Sequence, residues 1–181
     1  MSLLIRTLTR WRRRSCWHVA GTVIATLAMA VACLSAATFS AGTASAASCG
    51  TTNLALHQPT TASSVQGPSW PASDVTDGSL TTRWSSAFAD PQWLQVDLGT
   101  TQPVCQAVIH WESAYAKAFQ IQTSNDAVNW TTAYTTTAGT GGTQTLNITG
   151  SGRYIRILCT ARATQYGDSI YEFQVYAQNA G

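Results

Sequence analysis

The chain is poor in the residues that build helices and in those that carry hydrolytic chemistry. Lys117 is its single lysine, Glu112 and Glu172 are its only glutamates, and leucine is sparse beyond residue 46 where threonine is abundant. No window of eleven or more residues in that region repeats with a helical period, which excludes a helix bundle. Histidine there is limited to His57 and His110, neither in an H-E-x-x-H or other metal-ligand spacing. His110 alternates with Ile109 and Trp111 as a strand residue would. There is no G-x-S-x-G elbow and no phosphate-binding glycine loop. The acids lie mostly in turns (Asp77, Asp126, Asp168) or at a strand end (Asp97), a distribution that leaves a carboxylate pair flanking a glycosidic bond open but unsupported. A catalytic function is therefore not expected, and no catalytic residue is assigned; a secreted hydrolase of another type is the remote alternative.

Basic charge is also missing from most of the chain. The whole sequence is formally +2, but five of its ten basic residues (Arg6, Arg10, Arg12, Arg13, Arg14) fall in the first fourteen positions. An apolar run from about Val19 to Ala37 follows, and then Ala44-Ser45-Ala46. That order is the layout of a secretory signal peptide over residues 1–46, with cleavage expected after Ala46; an uncleaved membrane anchor is the alternative. Beyond the leader, five basic residues face eight acids, a net charge of −3. No nucleic-acid footprint remains, and no stable membrane insertion is expected once the leader is gone. Residues 47–181 suffice for one compact domain, expected to be extracellular and monomeric.

Three cysteines remain after the leader: Cys49, Cys105 and Cys159. In an oxidising compartment they imply one disulfide and one leftover thiol. Spacing leaves all three pairings open. Cys49–Cys105 is favoured because it would tie the mature N-terminus to an inner strand.

Short segments rich in Val, Ile, Thr and aromatics then follow one another: WLQVDLG from Trp93, CQAVIHW from Cys105 after a Thr-Gln-Pro turn, AFQIQTS from Ala118, WTTAYTT from Trp130, TQTLNI from Thr143, RYIRILCT from Arg153 and YEFQVYA from Tyr171. Ser48–Leu56 leads into a first strand, and His57–Pro71 reads as loop. Seven or eight short strands in one domain of this size mean an all-β sandwich or barrel, and a jelly-roll-like sandwich is expected.

The densest chemistry lies in DVTDGSLTTRWSSAFADPQW, from Asp74 to Trp93. Asp77-Gly78 permits a sharp turn, and Ser79, Thr81 and Thr82 add oxygens over a short span. Such a stretch can bind an ion, a ligand or neither. Aromatic residues stand in or beside loops at Trp70, Trp84, Phe88, Tyr115 and Tyr166, where flat amphipathic rings suit sugar faces. Trp93, Trp111 and Trp130 sit at strand edges and read as core.

NLALHQPTTASS at Asn53, ASDVTDGSLTTRWSS at Ala72, DPQWLQVDLG at Asp90, FQIQTSNDAVNW at Phe119, RYIRI at Arg153 and YEFQVY at Tyr171 together resemble a discoidin, or factor V/VIII type C, domain, and within it the bacterial family 32 carbohydrate-binding modules. The resemblance implies a galactose-binding-like jelly-roll β-sandwich of about eight antiparallel strands and a non-catalytic role in binding a polysaccharide or other glycan. A protein- or phospholipid-binding surface module of the same fold is the alternative.

The resemblance also implies site residues. A structural calcium would be held by the Asp74 carbonyl, the Asp77 side chain, the Ser79 carbonyl, the Thr82 carbonyl and hydroxyl, and Glu172, an oxygen set that calcium accepts. Galactose-binding members commonly place a histidine directly after the loop tryptophan; here that position is Ser85, which argues against galactose. The local pattern is more similar to modules attached to chitosanases and β-glucanases. Carried over, it gives Gln66 where such modules can have Glu, Arg83, Phe88 where a Tyr can occur, Glu112, and Tyr166 as an aromatic; Tyr115 is a further stacking candidate. Glu112 would accept from sugar hydroxyls or an ammonium, Arg83 would orient Glu112 or donate to ring oxygens, and the rings would stack.

Overall fold

The computed structural model describes residues 48–179. The leader expected over residues 1–46, with its cleavage point, lies outside the described residues. Eight strands form: β1 (Cys49–Asn53), β2 (Thr60–Ala62), β3 (Trp84–Ser85), β4 (Gln92–Trp111), β5 (Ala116–Ser124), β6 (Thr131–Thr136), β7 (Thr143–Arg162) and β8 (Ser169–Gln178). All pairings are antiparallel, in the order β1-β8-β4-β7-β5-β6, with β2 on β4 and β3 on β8.

Two strands of 20 residues each shape this sheet. Register breaks between Asp97 and Gln102 and between Val104 and Gln106 divide β4 into halves with different neighbours. Gln92–Asp97 runs between β2 and the second half of β7, which in turn carries β5 and β6. Val104–Trp111 runs between β8 and the first half of β7. The single hydrogen-bonded sheet thus folds over itself into two layers, the jelly-roll sandwich the strand pattern predicts.

The layers close on the alternation written in the sequence. Leu94, Val96 and Leu98 point inward from β4, as do Ile155, Ile157 and Cys159 from β7, while the residues between them face out. Trp84, Ile109, Phe119, Ile121, Ile170 and Phe173 complete the core. Cys49 pairs with Cys105, joining β1 to the inner strand β4, and Cys159 stays a free, buried thiol.

Three expectations change. The Thr-Gln-Pro segment continues β4 across a bulged stretch instead of turning, because the strand must cross from one layer to the other. Within the His57–Pro71 loop, Thr60–Ala62 pairs with Leu94–Val96 and covers an otherwise open sheet edge. Of the three strand-edge tryptophans, Trp111 is core at 4% exposure, but Trp93 and Trp130 are half-buried on the outer surface, where Arg156 stacks 4.0 Å from the Trp130 ring.

Phe119 is fully buried, with ring centroids of Trp111 and Tyr134 at 5.5 and 6.0 Å. Phe119→Ala removes the contact between these rings and leaves a cavity, so urea unfolding is expected to report a loss of about 3–5 kcal/mol.

Candidate functional site

Four loops meet at one end of the sandwich. They are the β2–β3 segment with Gln66 and Arg83, the β3–β4 loop with Phe88, the β4–β5 loop with Glu112, and the β7–β8 loop with Tyr166. They surround a cleft of about 310 Å³ lined by Gln66, Arg83, Ser85, Phe88, Glu112 and Tyr166, with Ser113, Ala114 and Thr164 between them.

Backbone hydrogen bonds stitch the loops together. Glu112 N donates to Ser169 O (3.0 Å), Ser169 N to Ala114 O (2.8 Å) and Ala163 N to Tyr115 O (2.9 Å), tying the β4–β5 loop to the β7–β8 loop. Ser86 N donates to Asp168 O (2.9 Å), and Asp168 N to the Ser86 hydroxyl (2.9 Å). Between them Gly167 is so close that an added Cβ would lie 2.3 Å from Ser86 O, so only glycine fits. The loops bearing Phe88 and Tyr166 are thereby clasped, and their rings meet edge to face, 5.9 Å apart at 78°. Both rings stay half in water, at 50% and 53% exposure, which leaves apolar surface for a ligand.

The polar groups are held as firmly. Glu112 accepts from the Ser113 hydroxyl and from Ala114 N (2.9 Å). Burial disfavours its charge, but these bonds, the Ser113 amide and the Arg83 charge outweigh it and hold the carboxyl below its ordinary value. Arg83 donates from Nη1 to Ser169 Oγ (2.9 Å), and its guanidinium carbon sits 5.2 Å from the Trp70 ring. Ser169 in turn donates to Trp84 O (3.1 Å). Among the described residues no direct ion pair joins Arg83 to Glu112; Ser169 and Trp70, not Glu112, orient the guanidinium. Gln66 Oε1 accepts from Ser85 Oγ (2.8 Å), and Ser85 is buried.

Five of the six expected ligand-binding residues thus line one cleft. Tyr115 does not: its half-buried ring packs on the core and against Gly141, where a Cβ would meet it at 2.7 Å. Trp84, also read as a loop aromatic, is fully buried and donates from Nε1 to Ser64 O (3.0 Å). Pattern reading missed the positioning residues Ser86, Gly167 and Ser169; the turn-like Gly167-Asp168-Ser169 was a signal for the last two, and Ser86 had none.

The acidic turn lies in and after a short 3-10 helix, Ala72–Thr76. Gly78 takes φ +83°, the left-handed region that the Asp77-Gly78 pair anticipates. Asp77 accepts from Ser79 N (2.8 Å) and from Thr82 Oγ1 (2.6 Å). Glu172 of β8 is 1% exposed, and neither carboxylate oxygen has a hydrogen-bond partner. Desolvation raises its pKa to about 7, against the Gly78 amide and with the Asp77 charge. Asp74 is raised too, by desolvation and then by Asp77. Among the described residues no three His, Cys, Asp or Glu side chains cluster as a metal site, so any cation here would have to rely on turn carbonyls and hydroxyls beside the orphaned Glu172 carboxylate, the oxygen-rich mixture that calcium accepts.

A second buried acid backs the cleft. Asp168 is fully buried with both oxygens unpartnered. Desolvation and the Asp90 charge raise its pKa to about 7; the nearby Cys159 thiol and Arg162 guanidinium pull the other way without hydrogen-bonding to it. A raised carboxyl pKa stabilises the fold below its unfolded value near 3.8 and loses that contribution as pH climbs to about 7. Asp168→Asn is expected to flatten that decline and to raise stability at pH 8 by about 1–3 kcal/mol, read from melting curves across the pH range.

The family model for the F5/8 type C domain matches residues 59–173. The polysaccharide lyase 8 family protein HylA of Enterococcus faecalis is 31% identical over 103 residues, which are 52% of this chain and 7% of that protein. The chain therefore spans a small fraction of that relative's length. Chitosan-binding module 1 of a chitosanase/glucanase from Paenibacillus sp. IK-5 is 47% identical, with a TM-score of 0.67 over 70% of this chain and 99% of the module. Chitosan-binding module 2 of the same enzyme, solved with chitotriose, is 41% identical, with a TM-score of 0.68 over 69% of this chain and all of the module.

Proposed function

The chain belongs to the F5/8 type C domain family, and on that premise we propose that it is a secreted, non-catalytic carbohydrate-binding protein that takes a β-glucan or chitosan-type polysaccharide into its loop-end cleft. The observation that carries this reading is the pair of half-exposed rings, Phe88 and Tyr166, set beside a fixed carboxylate, guanidinium and amide. Sugar C–H faces stack on the rings while hydroxyls find Glu112, Arg83 and Gln66. The chitosan-binding modules named above support the substrate class, and Ser85, buried and bonded to Gln66, leaves no imidazole for a galactose site. The leader pattern and the Cys49–Cys105 disulfide support an oxidising, extracellular destination.

One sugar covering about 100 Å² of ring surface gains about 2.5 kcal/mol before ordering costs, so a single site binds at about 0.1–1 mM. In pull-downs on insoluble chitosan, β-1,3-glucan, xylan and galactan, retention is expected on one or more of the first two. Phe88→Ala, Tyr166→Ala and Glu112→Ala should each weaken it about tenfold or more. Retention on none of the four, or variants that behave as wild type, rules the reading out.

We also propose that the acidic turn holds a structural calcium through the Asp74, Ser79 and Thr82 carbonyls, the Thr82 hydroxyl, Asp77 and Glu172. Bound there, the ion supplies positive charge that the orphaned Glu172 carboxylate lacks and braces the turn against β8. With calcium about a hundredfold above its Kd, the expected stabilisation is about 2–3 kcal/mol. The melting temperature should fall on chelation and recover on calcium add-back but not on magnesium add-back; no change would exclude the ion.

A further inference from the structure

The hydrogen-bonding capacity left open in the cleft differs from what its residue list suggests. Gln66 uses Oε1 to accept from Ser85 Oγ at 2.8 Å, and Ser85 is 3% exposed, so solvent does not compete for that bond. Its Nε2 makes no bond within the protein among the described residues, and Gln66 lines the cleft. Two amide N–H groups are therefore offered to a ligand. Arg83 spends one N–H on Ser169 and keeps the rest, all donors. The acceptor side is thinner: Glu112 already takes the Ser113 hydroxyl on Oε1 and the Ala114 amide on Oε2. One positive and one negative side chain line the cleft, so its formal charge is zero.

A donor-rich cleft of zero net charge favours ligands that present oxygen acceptors. An alkylammonium brings three donors and no acceptor, so of these groups only the partly engaged Glu112 carboxylate can receive it, while against Gln66 and Arg83 it sets donor on donor. A site built for a hydrogen bond discriminates strongly against a group that cannot complete it.

We propose that Gln66, locked by the buried Ser85 hydroxyl, makes this cleft selective for a neutral glycan presenting hydroxyl or acetamido oxygens over a glycan presenting free amino groups. This rests on the carbohydrate-binding reading and narrows it to a substrate class. Ser85 acts as the positioning residue: its hydroxyl donates to Gln66 Oε1, and with that bond made the amide nitrogen is the atom left for the ligand.

The test is calorimetric or NMR titration of the full chain with three trisaccharides: a β-1,3-glucan trimer, an N-acetylglucosamine trimer and a glucosamine trimer, in low salt at pH about 5.5, where the amines are protonated. At least one neutral trimer should bind about tenfold or more tightly than the glucosamine trimer, and whichever is preferred identifies hydroxyl or acetamido oxygens as the group read. Gln66→Glu should reverse the order, gaining about tenfold for the glucosamine trimer and losing as much for the neutral one. Ser85→Ala should bring the two affinities toward parity without moving the melting temperature by the same measure, which a merely structural serine would not do. Tighter binding of the glucosamine trimer by the wild type, or an unchanged preference in Gln66→Glu, overturns the inference while carbohydrate binding stands. Binding of none of the three by a folded protein overturns the inference together with the reading beneath it.

Discussion

The loop end of the sandwich depends on one close contact, the clasp between Ser86 and Gly167-Asp168. Two hydrogen bonds and a glycine with no room for a side chain hold the β3–β4 and β7–β8 loops together. Everything that lines the cleft from those sides is placed through it. Phe88 lies two residues beyond Ser86, Tyr166 one residue before Gly167, and Ser169, which anchors Arg83, one residue after Asp168. A set of side chains from distant parts of the chain thus converges because two backbone segments cannot separate.

The clasp has a cost, which the fold carries in the form of Asp168. Docking the two loops drives its carboxyl out of water with no partner for either oxygen. The same exchange recurs at Glu172, buried behind the acidic turn. Orphaned acids at two places beneath the candidate sites match the wider pattern in which buried unpaired polar groups accompany strained or functional geometry.

Much of the fold was legible in the sequence because strand alternation is a local signal. Leu94, Val96 and Leu98 announce which face of β4 is inside, and the structure agrees. What local pattern does not convey is where a strand continues through a bulge, so β4 and β7 each read as two short strands. Nor does it convey edge protection: Thr60–Ala62 is a strand only because β4 offers an open side. Of the residues that the motif order singles out, Gln66, Arg83, Phe88, Glu112 and Tyr166 line the cleft, whereas Tyr115 and Trp84 pack toward the core. Both are aromatics beside a loop, and whether such a ring turns outward or into the core depends on tertiary packing. The absent Arg83–Glu112 pair has the same origin, since a neutral hydroxyl at Ser169 captures the guanidinium first.

Gly167 also bears on how such a site can be altered. Because the clasp that assembles the cleft is made by backbone and one hydroxyl, the exposed side chains lining the cleft take no part in it. Gln66, Phe88 and Tyr166 are all exposed and sit outside the clasp. Under the proposed function, sugar preference is a separable module: an engineer can rewrite the reading groups one at a time on an unchanged scaffold, provided position 167 is left alone.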